Sequence, residues 1–145
     1  MACLVVTTDL SPESQRAFAP AAALADRLGL EIVLFAVLED MPFEPTAGGM
    51  VVPYPDRAQL HRDWEQKLRE LAGTLHCKRA VRTTCVDAMD VPRAIVEFAQ
   101  QQNAAYVAMA THGRAGLRRL LLGSVAEAVL RHSHVPLILF PPPAA

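Results

Sequence analysis

An α/β fold built on one doubly wound, five-stranded parallel sheet, with helices on both faces, is predicted by three features of this sequence. Strand-like and helix-like segments alternate along the chain, so each strand is followed by a crossover that can return it parallel to a neighbour. The second strand candidate, EIVLFAVL (residues 31 to 38), is apolar nearly throughout, as a strand covered on both faces must be. With 145 residues the chain can hide roughly 70% of its unfolded surface around one core without disulfide or metal staples. The expected strand order is 3-2-1-4-5, in one domain over residues 1–140 followed by a proline-rich tail, 141–145.

The elements follow in order. Cys3 to Thr8 is a short β-branched run that Asp9 to Pro12 interrupts. Ser11 is an N-cap candidate with Pro12 at the first helical position, and Phe18, Ala22, Ala25 and Leu28 then share one face until Gly29 stops the helix. Glu31 to Leu38 is the second strand. Residues 39 to 56 hold Pro42, Pro45, Pro53, Pro55 and the pair Gly48-Gly49, and predict a long loop without regular structure. From Asp56 the spacing of Leu60, Trp64, Leu68, Leu71 and Leu75 is helical. Arg79 to Val86 reads as the third strand, Asp90 caps a helix through Ile95, Val96 and Ala99, and Ala105 to Ala110 is the fourth strand. Ser124 to His132 is the last helix and Pro136 to Phe140 the last strand.

The bulk composition excludes more than it suggests. A formal charge of −1 gives no global field to draw the chain to nucleic acid or an acidic membrane. Cys3, Cys77 and Cys85 lie at no metal-ligand spacing and read as reduced thiols, which suits a cytoplasm. The start, MACLVVTTDL, lacks the features of a signal peptide, and no apolar stretch approaches the ~18 residues a membrane span needs. A soluble, cytoplasmic protein is expected.

In the order 3-2-1-4-5 the winding reverses between the first and fourth strands, leaving a crevice beyond their carboxyl ends. The first strand delivers Thr7, Thr8 and Asp9 there. The fourth delivers Met109 and Ala110, followed at once by THGRAGLRRLLLGS, residues 111 to 124, which carries three glycines, three arginines and no acid. Gly113 and Gly116 free the backbone for close approach, Gly123-Ser124 opens the last helix, and a helix start offers unpaired N–H groups to a phosphate. Loop amides, a capping Ser124 hydroxyl and Arg114, Arg118 or Arg119 would add charge-assisted bonds, with His112 a further donor. Each feature has a plainer reading: glycines serving turns, arginines on a solvated face, Asp9 capping a local turn, Val37 and Met109 packing the core.

The positions Ala110-x2-Gly113-x9-Gly123-Ser124 resemble the Gly-x2-Gly-x9-Gly-Ser/Thr signature of the nucleotide-binding branch of the universal stress protein family. The likeness runs over nearly all of the chain, including LVVTTDLSPES and IVLFAVLED. It implies ATP or AMP as ligand, with magnesium able to accompany the phosphates. Asp9 would then bond the adenosine portion, Val37 would present backbone to adenine, Met109 and Ala110 would line the pocket, and Gly113, Gly123, Ser124 and Val125 would hold phosphates and ribose. Ala110 departs from the signature by one methyl group. The resemblance also implies a homodimer paired through Val135 to Phe140.

Other candidates are weaker. His132 and His134 lack a third metal ligand, Asp87 and Asp90 read as turn and cap residues, and Glu39 with Asp40 could hold a cation. Nucleotide-hydrolase and other catalytic motifs are missing, and Lys67 and Lys78 lie away from the glycine loop. The function expected is adenine-nucleotide binding by a sensor or signalling module. An interaction protein of the same fold is the alternative, and a slow ATP hydrolase a third.

Overall fold

A computed structural model describes residues 1–41, 46–51, 53, 56–111 and 122–142. Its main elements are β1 (Cys3–Thr7), a 3-10 turn (Ser14–Ala17) leading into α1 (Phe18–Leu28), β2 (Glu31–Glu39), the short strands β3 (Thr46–Ala47) and β4 (Met50–Val51), α2 (Arg57–Ala72), β5 (Val81–Ala88), α3 (Val91–Gln101), β6 (Tyr106–Ala110), α4 (Ser124–His132) and β7 (Leu137–Phe140).

The large sheet runs β5-β2-β1-β6-β7, all pairs parallel. Counting only its own five strands, this is the expected 3-2-1-4-5. Successive side chains along a strand alternate between faces, and the core divides accordingly. Leu4, Val6, Ile32, Leu34 and Ala36 meet α1 and Leu68 of α2 on one face. Cys3, Val5, Val33, Phe35, Val37, Val107 and Met109 meet Ile95 and Ala99 of α3 and Ala126 and Val129 of α4 on the other. Strands that must be apolar on both sides are thus explained by a helical layer on each.

Four expectations about the elements are overturned. The first helix does not begin at Pro12, because Pro20 has no N–H and would break an α-helical ladder already running there. The chain instead passes through a turn and a 3-10 segment, and α1 starts at Phe18, so Pro20 falls in its first turn. Ser11 still accepts a bond from the Ser14 N–H at 3.2 Å. Leu28 is 49% exposed: it is the last residue of α1, and although it falls close to the Ala21 and Ala25 positions around the helix it does not share their burial. The stop at Gly29 is as expected, in the left-handed region at φ 68°.

The third correction concerns the proline-bearing loop, part of which forms an antiparallel hairpin. Thr46 pairs with Val51 and Ala47 with Met50, around Gly48 and Gly49 at φ 61° and 80°. Two central residues of positive φ match the twist of a tight hairpin, which explains the glycine pair. Pro42, Pro45 and Pro55 lie outside the described residues. Helix α2 then starts where Asp56 accepts from the Gln59 N–H, and α3 where Asp90 accepts from the Arg93 N–H. Leu75, expected on α2, lies beyond its end at Gly73 but still packs against the core.

Candidate functional site

The carboxyl ends of β1, β2 and β6 open into a small cleft. It lies between the sheet and the α3–α4 layer. Phe35 and Val37 of β2 and Met109 of β6 form an apolar wall by the two-residue period that also places them on that face of the sheet. Val91 and Ile95 of α3 and Val125 and Ala126 of α4 close the opposite side. The polar lip is Thr7, Thr8, Asp9 and Ser14. Such a slot, apolar on two sides with a few hydroxyls and one carboxylate at its edge, suits a flat heteroaromatic ring carrying polar substituents.

Of the residues singled out from sequence, Thr8, Asp9, Val37, Met109, Ala110 and Val125 are brought together around this cleft. Gly123 is the N-cap residue of α4, at φ −55° and ψ 154°. Ser124 lines an adjoining open recess with Glu39, Met89, Asp90 and Pro92, and Val91 and Val125 border both spaces. Ser124 does not cap α4 as expected, because it occupies the first helical position and no side chain caps the helix. His112, Gly113 and Arg114, with Gly116, Arg118 and Arg119, lie outside the described residues.

The polar lip is internally bonded. Asp9 accepts through Oδ1 from the Ser11 N–H at 2.9 Å and from the Ser11 hydroxyl. Thr8 Oγ1 accepts from the Leu10 N–H at 3.0 Å and meets Ser14 Oγ at 2.7 Å. Asp9 therefore has the turn-capping role that its position beside Ser11-Pro12 allowed, while also facing the cleft. Phe35, Ile95, Ser14 and Ala126 were not picked out from sequence. Phe35 had a signal, being two residues before Val37, but periodicity reports burial and not which buried side chain borders a cavity.

Several other ionisable groups are paired with one another or with the backbone. Asp87 is not a turn residue: it lies inside β5 and binds His61 Nδ1 of α2 at 2.7 Å, while His61 Nε2 lies 3.3 Å from Glu65. That hydrogen bond, reinforced by the two carboxylate charges against a smaller opposing effect of burial, raises the His61 pKa. Its stabilising contribution is therefore fully present below about pH 6.5, the unfolded value, and is lost as pH rises through the higher folded value. Proton NMR of the His61 ring should show Asp87→Asn lowering the titration midpoint; an unchanged midpoint would mean that the pair does not form in solution. Asp40 pairs with Arg57 at 3.6 Å, and Arg57 Nη1 donates to the Glu39 carbonyl at 3.3 Å.

No group of three or more metal-ligating side chains occurs among the described residues. The thiols are poor nucleophiles near neutral pH: burial raises all three, and Cys85, with Asp87 and Glu65 adding to the effect, is pushed up to about 11. Among the described residues no helix is long and apolar enough to cross a membrane.

Comparison with known proteins agrees with this architecture. The model of the universal stress protein family matches residues 3–141. Universal stress protein MJ0531 of Methanocaldococcus jannaschii is 29% identical over 142 residues, covering 97% of this chain and 82% of the relative. Universal stress protein Rv2005c of Mycobacterium tuberculosis is 33% identical over 138 residues, covering 94% of this chain but 44% of the relative, so the chain spans less than half of that protein. Among solved structures, hypothetical protein MJ0577 superposes with a TM-score of 0.76 at 19% identity over 99% of this chain and 98% of that one. A universal stress protein in complex with cAMP gives 0.62 at 20% identity, covering 97% and 96%. One from Archaeoglobus fulgidus in complex with dAMP gives 0.59 at 20% identity, covering 96% and 97%. At these identities the structural likeness speaks for the fold.

Proposed function

This chain belongs to the universal stress protein family, and from that premise we propose that it binds an adenine nucleotide, ATP or AMP, in the cleft at the ends of β1, β2 and β6. The single observation that carries this reading is the union of an apolar slot, formed by Val37, Ile95 and Met109, with the start of α4 at Val125. The first would receive a base and the second a phosphate. Two relatives of the same fold, solved with cAMP and dAMP, support an adenine ligand. Thr8, Asp9, Met109 and Ala110 would then surround the nucleoside, and Gly123, Ser124 and Val125, with His112, Gly113 and Arg114 of the glycine loop, would receive the phosphates. Magnesium could accompany them.

In this reading residues 1–140 act as one binding domain of a cytoplasmic stress-response protein, with 141–145 a tail. The nucleotide sets a state that partners recognise, and pairing through Val135 to Phe140 makes the active species a homodimer. Among the described residues strand β7 is an edge of the sheet, bonded to β6 alone, and an apolar edge needs cover.

Calorimetry of ATP and AMP on the wild type and on Gly123→Val tests the site. The φ and ψ of Gly123 are ones any residue adopts, so valine adds bulk at the α4 start without backbone strain. Holding the phosphate away from that terminus forfeits up to ~2 kcal/mol, a weakening of up to roughly 30-fold. Equal heats in both proteins, or none in either, would reject the nucleotide site.

A further inference from the structure

The turn between β1 and the 3-10 segment contains an unusual residue, Leu10, a leucine at φ 67°. Side chains with a Cβ rarely adopt this conformation, and where they do the surroundings must hold them there. Leu10 is held in two ways. Its side chain is buried in the α1 face of the core, and its N–H donates to Thr8 Oγ1 at 3.0 Å.

The hydroxyls beneath it form a chain with one possible direction. Ser14 Oγ donates its only proton to the Ser11 carbonyl at 2.8 Å, so the 2.7 Å contact between Thr8 and Ser14 must use the Thr8 proton. Thr8 then accepts from Leu10 and donates to Ser14, and both residues are buried, at 6% and 5% exposure. Its hydroxyl has no proton left for a ligand, although it borders the cleft. The same turn is tied once more where the Ser14 N–H donates to Ser11 Oγ at 3.2 Å, while Ser11 holds Asp9 through both its N–H and its hydroxyl.

We infer that Thr8 and Ser14 are positioning residues for Asp9: their buried hydroxyl relay locks Leu10 in the left-handed region and thereby fixes the Asp9 carboxylate at the cleft lip. The consequence for affinity rests on nucleotide binding in this cleft. The relay itself does not, so the two can be separated by experiment.

Amide hydrogen exchange at Ser11, measured without ligand, reports whether the Asp9 turn is held. Thr8→Val should speed that exchange by roughly tenfold or more, and Thr8→Ser should restore it. Ser14→Ala, which deprives Thr8 of its acceptor, is a second variant carrying the same expectation. In calorimetry with AMP, Thr8→Val should weaken binding roughly tenfold, the worth of one hydrogen bond to a charged group. It should have no further effect in an Asp9→Ala background, because the relay acts through that carboxylate. Unchanged Ser11 exchange in both variants overturns the inference, and so does an equal weakening by Thr8→Val with and without Asp9. If the wild type binds no AMP, the nucleotide reading falls, and Ser11 exchange alone decides whether the relay positions Asp9.

Discussion

Phe35→Ala should cost about 3–5 kcal/mol of folding stability, roughly a fifth or more of what a domain typically has. Phe35 sits at 0% exposure in the middle of β2, bonded through β1 on one side and β5 on the other. Its ring lies flat on Phe98 of α3, with centroids 4.0 Å apart and planes 2° from parallel. Truncation removes the aromatic pair, worth ~0.5–1.5 kcal/mol beyond area, and leaves a void that strands bonded on both sides cannot close by shifting. The void also opens into the cleft floor, because Phe35 lines it. Denaturant unfolding should show the midpoint fall with the slope unchanged. Phe35→Leu, which refills most of the volume, should lose much less. A loss under ~1 kcal/mol for the alanine variant would contradict the packing of α3 on the sheet.

That residue also shows how far the sequence could be read. The apolar run from Glu31 to Leu38 made a doubly covered strand the natural reading, and with alternating helices it led to the sheet order before any contact was known. The caps at Asp56 and Asp90 were equally legible, because a carboxylate bonding an N–H three residues on is a local event. What failed was decided by less local terms. The start of α1 depends on Pro20, eight residues past Pro12, and Asp87 owes its role to His61 on another element, 26 residues away in sequence. The glycine pair at 48 and 49 counts toward an irregular loop when read with the prolines around it, although two glycines of positive φ equally suit a tight hairpin.

The site was legible in the same measure. Topology brought Thr8, Asp9, Met109 and Ala110 to one place because strand order decides which ends are neighbours. It could not reveal Ile95 or Ala126, since the depth at which a helix crosses the sheet depends on packing. Nor does residue type alone tell that Thr8 spends its proton on Ser14. The expected phosphate loop around Gly113 falls outside the described residues, leaving Ala110, Gly123 and Ser124 as the described part of that motif.

Saturating the wild type with AMP or ATP should raise its thermal midpoint by roughly 5–10 °C. A ligand that binds only the folded state stabilises it by RT ln(1 + [L]/Kd), which is about 2.7 kcal/mol at one hundred times Kd. For a chain near 150 residues each kcal/mol is worth roughly 2–4 °C. Comparing variants under one ligand concentration then reads the site directly. Gly123→Val should keep the ligand-free midpoint and lose most of the shift. Ala110→Gly is the more discriminating change. Ala110 lines the cleft at 9% exposure, so its methyl group lies where the family signature has none. Removing it should preserve or enlarge the nucleotide-induced shift, although the added chain entropy of glycine lowers the ligand-free midpoint by an amount near ~0.5–1 kcal/mol. A smaller shift in Ala110→Gly than in the wild type would mean that the methyl group makes a favourable contact with the ligand. Alanine would then be part of how this cleft chooses its nucleotide rather than an obstacle to binding one.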